Sequence, residues 1–143
     1  MQASPSPTAT FDDAIAIADT VRWLERAVIG LNLCPFAKAV HVKGLVHYAV
    51  SAATTQAQLM PELERELAAL AALPAAERDT TLLMVPHCLH DFLDFNDFLA
   101  DADALLARME LEGVLQIASF HPAFQFAGTR EDDITNHTNR TPY

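Results

Sequence analysis

Side chains able to move protons or grip an anion are concentrated in the last quarter of the chain. Ser119-Phe120-His121-Pro122 is followed by Gln125, by Gly128, and by the string Asp132-Asp133-Ile134-Thr135-Asn136-His137-Thr138-Asn139-Arg140. An imidazole titrates near neutrality, so His121 is the candidate general acid or base, its chain direction fixed by Pro122. Arg140 offers a planar fork that suits carboxylate or phosphate. Gln125, Asp133, Asn136, Thr138 and Asn139 add hydrogen-bonding groups as substrate anchors. These types in one loop fit a small enzyme acting on a polar, anionic small molecule. A structural reading stands beside it, in which His121 bonds only to backbone and the aspartates tie Arg140 down.

Two further constellations invite chemistry. Cys34 precedes Pro35, with Lys38 four residues on, and a nearby cation favours the nucleophilic thiolate. A position at a helix C-terminus works the other way, so Cys34 reads as a second-rank nucleophile or as a structural thiol. The other constellation gathers His87, Cys88, His90 and His121 into a Zn or Cu site. His-Cys-x-His is not a standard ligand spacing. The simpler reading makes His90-Asp91 a helix start and Cys88 a small buried hydrophobe. A binding module without catalysis, for a metal or a small ligand, and an interaction subunit whose loop is a structural cap are the alternatives. The residues name no cofactor and leave oligomeric state and strand order open.

Elements must position these groups. Ile17, Val21, Leu24, Val28 and Leu31 form one apolar helical stripe. Thr10 with Asp13 would start that helix, and Gly30, Asn32 and Pro35 would end it near residue 32. Residues 45–50 are rich in strand formers. Thr55 with Gln58 announces a second helix, carried by Leu59, Leu63, Leu67, Leu70 and Leu73, with Pro61 either kinking or starting it. Residues 80–85 read as a second strand. Asp91 or Asp94 caps a third helix whose face is Phe95, Phe98, Ala102, Leu105 and Met109, with Gly113 closing it. Residues 114–120 read as a third strand. Helices alternating with strands predict an α/β sandwich of two or three layers around a small, mostly parallel sheet, with a ferredoxin-like α+β arrangement as the alternative.

In an open parallel sheet, ligands bind beyond the carboxyl ends of the strands. The loop after the second strand and the loop holding His121 should therefore meet.

Composition narrows the partners. Nine Lys and Arg against nineteen Asp and Glu give a net charge of −10, which repels nucleic acid and anionic membranes. Two distant cysteines without a CxxC pattern fit reduced thiols in a cytoplasmic protein. Residues 1–10 carry neither a basic nor an apolar signal region and read as a disordered leader. Residues 11–143 make one domain. It stops at Pro142-Tyr143 with no closing element, so the domain is expected to continue further.

Several strings in order give a resemblance. Trp23-Leu24-Glu25, Leu31-Asn32-Leu33-Cys34-Pro35-Phe36-Ala37, Asp91-Phe92-Leu93-Asp94-Phe95-Asn96, Ala118-Ser119-Phe120-His121-Pro122, Gln125-Phe126-Ala127-Gly128-Thr129 and Thr138-Asn139-Arg140-Thr141-Pro142-Tyr143 resemble the bacterial family called domain of unknown function 1415. The likeness implies no known activity, substrate or cofactor. It places Cys34, Pro35, His121, Pro122, Gly128, Asn139 and Arg140 at motif positions, and His90 and Cys88 outside them. It also implies that relatives continue past Tyr143 with a Leu-His-Leu-Leu-Arg-like segment.

Overall fold

A computed structural model of the chain describes residues 11–143. The expected leader and the Thr10 cap lie outside the described residues. Helix α1 runs Phe11–Trp23 and widens into a π-helical segment, Leu24–Ile29, in which Gly30 N–H reaches back five residues to Glu25 C=O at 2.9 Å. Ala16, Thr20, Leu24 and Val28 are buried along one face. Each wide turn adds a residue and rotates the side chains beyond it, and Leu31, expected on the apolar stripe, is 70% exposed. Asn32, at φ 52°, makes the turn into a short helix not anticipated from the sequence, α2, Ala37–Val42.

Strand β1, Val46–Val50, pairs in parallel with β2, Thr80–Met84, Val46 standing opposite Thr80. The crossover between them is α3, Gln56–Ala72. Thr55 caps it as expected, its hydroxyl accepting from Gln58 N–H at 3.2 Å while Gln58 Oε1 accepts from Thr54 N–H at 2.9 Å. Helix α4, Phe92–Arg108, begins at Asp91, whose Oδ1 accepts from Leu93 and Asp94 N–H. It ends one turn before the expected Gly113. Glu110 takes the left-handed conformation (φ 57°) while Leu111 N–H bonds Leu106 C=O and Glu110 N–H bonds Ala107 C=O. That pair of bonds satisfies carbonyls the helix leaves open, which offsets the strain of a side chain at positive φ.

Period-two alternation gives the sheet two working faces. On one, Met84 meets Thr20 of α1, and Tyr48 packs on Leu24, Val28 and Ala37. On the other, Leu83 packs with Leu59, Leu63 and Phe98 of α3 and α4. Helices thus cover both faces, a three-layer α/β arrangement within the expected class. Leu59 and Leu105 are almost wholly buried, each worth roughly 1.5–3 kcal/mol of transfer from water.

The expected third strand does not form. Residues 115–120 alternate in burial like a strand, with Leu115, Ile117 and Ser119 inward, but pair with neither β1 nor β2. Their hydrogen bonds go elsewhere. Leu115 N–H returns to Leu111 C=O, and Ser119 C=O accepts from the Asn139 amide, while just beyond them His121 N–H donates to Asn139 C=O. Ile117 meanwhile packs against core residues of both α3 and α4. The segment is tied at both ends and lies apart from β2.

Candidate functional site

The polar loop folds around its own side chains. Asp133 starts a short 3-10 helix, Ile134–Asn139, by accepting from Thr135 N–H at 2.9 Å and its hydroxyl at 2.7 Å. The Thr135 hydroxyl, then its N–H, hold the Asp133 carboxyl below the usual range. Asn136 is 0% exposed. Its Oδ1 accepts from Phe126 N–H (2.9 Å) and the Thr129 hydroxyl (3.1 Å), and its amide donates to Arg130 C=O (2.9 Å). Asn139 donates to Ser119 C=O and accepts from the Thr138 hydroxyl. Gln125 donates to Thr129 C=O at 2.6 Å.

His121 and Arg140 follow the same pattern. Ala123 N–H donates to His121 Nδ1 at 3.0 Å, which leaves Nε2 to carry the proton and donate to Leu89 C=O at 3.0 Å. The ring is 5% exposed and lies against Phe92 and Phe95. Arg140 Nε donates to Phe124 C=O at 3.0 Å and an Nη to Glu131 C=O at 2.7 Å. Sequence placed His121 beside the loop after β2, and the structure brings them together through the Leu89 carbonyl. That contact is with backbone.

The alternative Zn or Cu set does not come together. Among the described residues no group of three His, Cys, Asp or Glu side chains could hold a metal ion, so His87, Cys88, His90 and His121 are not a ligand set. His90 bonds Pro86 C=O at 2.6 Å, His121 bonds Leu89 C=O, and Cys88 is buried as a small hydrophobe. The imidazoles turn to backbone carbonyls, which competes with metal coordination. Both cysteines are free, Cys34 being exposed.

A second place was not found from the sequence. A cleft of about 450 Å³ runs beside β2. It touches Thr80, Thr81, Leu82, Leu83, Met84 and Val85 in succession, and residues 115–120 opposite. Successive strand residues point to alternate faces, so a space touching all of them follows the strand's edge. Thr80 N–H donates to Leu45 C=O and Ser51 N–H to Met84 C=O, so the even-numbered residues of β2 bond toward β1. The backbone groups of Thr81 and Leu83 therefore face the cleft. Cys34 and Trp23 also line it; His121, Arg140 and the other predicted anchors do not.

The cleft wall is apolar apart from a few groups, and two of these have an atom without a hydrogen-bond partner. Among the described residues, Glu66 Oε2 and Thr81 Oγ1 are shut off from solvent without a hydrogen bond. The remaining such atom, the Tyr48 hydroxyl, lies on the α1 side, where burial and then the Glu25 charge raise its pKa. Glu66 follows Leu63 by three residues and precedes Leu70 by four. A carboxylate on the apolar stripe of a helix was the signal available in the sequence.

Compared with known proteins, residues 15–143 match the family described as "Protein of unknown function (DUF1415)". The chain belongs to that family. No curated protein and no solved structure matches it. For this DUF1415 chain the resemblance read from the motif strings holds, and the strings fall on two regions. The His121–Arg140 strings build the self-bonded loop, while Trp23 and Cys34 from the first strings reach the cleft.

Proposed function

We propose that this domain is a small-molecule binding module whose site is the cleft between the edge of β2 and residues 115–120. A single observation carries the reading: the wall is apolar, yet two of its few polar atoms, Glu66 Oε2 and Thr81 Oγ1, are buried without a hydrogen bond, His47 Nε2 standing 4.0 Å from Glu66 Oε2. Buried polar atoms are nearly always hydrogen-bonded, and one left open costs about 1–3 kcal/mol. A bound molecule that supplies the missing bonds recovers that energy. The volume lies in the range of sites that enclose a small organic ligand, and an apolar lining with few polar groups is their usual chemistry.

The competing reading, an enzyme acting on an anionic substrate through His121 and Arg140, draws less support. Both ring nitrogens of His121 hold backbone groups, and two guanidinium nitrogens of Arg140 hold carbonyls. A general base needs a free nitrogen within reach of the proton it takes. Two free thiols fit a reducing, cytoplasmic setting for either reading.

Trp23, the one tryptophan of the chain, lines the cleft and reports on its contents. Titration with a neutral alcohol such as hexanol should change Trp23 emission saturably. Ala118→Phe or Leu115→Phe, which add bulk to the wall, should weaken that response, and His121→Gln and Arg140→Ala should leave it in place. Absence of a saturable response both to hexanol and to its amine analogue sinks the proposal. Selective loss in the His121 and Arg140 variants would restore the polar loop as the site.

A further inference from the structure

The unpartnered groups of the cleft also define what the ligand must carry. We infer that this cleft selects an apolar molecule with a cationic amine head, held by the Glu66 carboxylate and the Thr81 hydroxyl. The inference rests on the cleft being a ligand site and adds the ligand's chemical class.

Charge is the first argument. Among the described residues, Glu66 and Asp79 are the charged groups of the wall, and no Lys, Arg or His lines it. Asp79 already accepts from the Thr80 hydroxyl at 2.8 Å, whereas Glu66 Oε2 has no hydrogen bond among the described residues. His47 Nε2 stands 4.0 Å away, at the outer limit of an ion pair and beyond hydrogen-bond reach, and the side chains of His47 and Glu66 are 40% and 27% exposed. An anionic ligand, the class expected from Arg140, would meet like charge here, with no cation on the cleft wall and only His47, 4.0 Å from Glu66 Oε2, to offset it. The net charge of −10 adds a field that draws cations in.

Hydrogen-bond valence is the second argument. A carboxylate only accepts, so Glu66 requires a donor from whatever fills the cleft. Thr81 stands opposite His47 in the strand register, which sets its side chain beside His47 on the face that α3 covers, where Glu66 lies. An ammonium has three donors and no acceptor. One suits Glu66 Oε2, a second the Thr81 oxygen, and a third the outward carbonyls at the β2 edge. A neutral alcohol supplies one donor and leaves the remaining acceptors open. The leucines of α3 at positions 59, 63, 67 and 70 then take the apolar part of the molecule.

Hexylamine, hexanol and hexanoate form a matched series that varies only the head. Titrated into the full chain at neutral pH and followed by Trp23 emission, hexylamine should bind at least about tenfold tighter than hexanol, with hexanoate weakest. Glu66→Gln keeps the shape of the side chain and should reduce that preference to about threefold or less while hexanol binding persists. Thr81→Val, with circular dichroism confirming the fold of both variants, should lose part of the preference. Equal binding of the three heads by the unmodified protein overturns the inference and leaves the binding site standing, as does an amine preference undiminished in Glu66→Gln. Failure of hexanol and hexylamine alike to bind overturns both.

Discussion

Asn136 in the C-terminal loop is wholly buried, and in the cleft the Oε2 atom of Glu66 is shut off from solvent although the side chain as a whole is 27% exposed. Each polar atom of the Asn136 side chain has a partner at 2.9–3.1 Å, while Glu66 Oε2 has no hydrogen bond among the described residues. The loop looks like a site by composition, since it is dense in His, Arg, Asn, Thr and Asp. In three dimensions these groups bond to one another and to local backbone, and the result is a loop held by its own hydrogen bonds. The cleft looks like plain core by composition, and its few polar atoms are the ones left over. Density of polar side chains therefore marks a loop that needs internal bonds. Unmet hydrogen-bonding capacity in an apolar space marks a place for something else.

The contrast predicts opposite signs for removing polar groups in the two regions. The largest effect belongs to Asn136→Ala, which leaves Phe126 N–H, Arg130 C=O and the Thr129 hydroxyl without their shared partner. A loss of about 3 kcal/mol is expected in urea unfolding, with no change in which cleft ligand is preferred. His121→Phe comes next. The new ring keeps the contacts with Phe92 and Phe95, but Ala123 N–H and Leu89 C=O lose their bonds, at a cost of about 2 kcal/mol. If His121→Phe is as stable as the unmodified protein, its bonds do not hold the loop and a chemical role for the ring returns.

Much of the fold was legible because local rules and burial agreed. Thr55 with Gln58, Asp91, and the leucine stripe of α3 did what capping and periodicity say they should. Residues 114–120 had the apolar alternation of a strand, yet alternation encodes burial of one face, not a partner for the backbone. Ile117 satisfies it by packing against core residues of both α3 and α4 without joining the sheet. Leu31 was misplaced because a π-helical turn has no period-3.6 signature. The loop residues lie close together in sequence, but sequence does not show whether Arg140 points at a ligand or at the Phe124 and Glu131 carbonyls. Glu66 was readable in principle as a charge on an apolar stripe, and Thr81 was hidden within an apolar run.

A smaller effect of opposite sign should come from the cleft. Thr81→Val replaces a buried, unpartnered hydroxyl with a methyl group of nearly the same shape. Removing an unmet group while keeping volume should stabilise the ligand-free protein by up to about 1 kcal/mol, read as a higher urea midpoint at unchanged slope. Destabilisation would show that the hydroxyl has a partner in solution, and the distinction between the two regions would lose one of its two cleft examples.

The smallest effect tests whether the loop is a separate unit. Asp133 stands at the start of the 3-10 helix, and its bonds to Thr135 lower its pKa below the ordinary 3.8. A carboxylate with a depressed folded-state pKa contributes stability that is present above the unfolded value. That contribution fades as pH falls from about 3.8 through the lower folded value. Asp133→Asn retains an oxygen that can accept from Thr135 but has no charge to lose. The variant should be slightly less stable than the unmodified chain near neutrality, and the difference should close on acidification within that window. A difference that stays constant with pH would mean the carboxylate's charge is not what holds the start of the 3-10 helix. Hexylamine binding at neutral pH should be the same in both proteins, since Asp133 does not line the cleft. A change there would mean that the capped loop and the open cleft are mechanically joined, and the Asn139 bond to Ser119 C=O, which ties the loop to the cleft's far wall, is the connection to cut next.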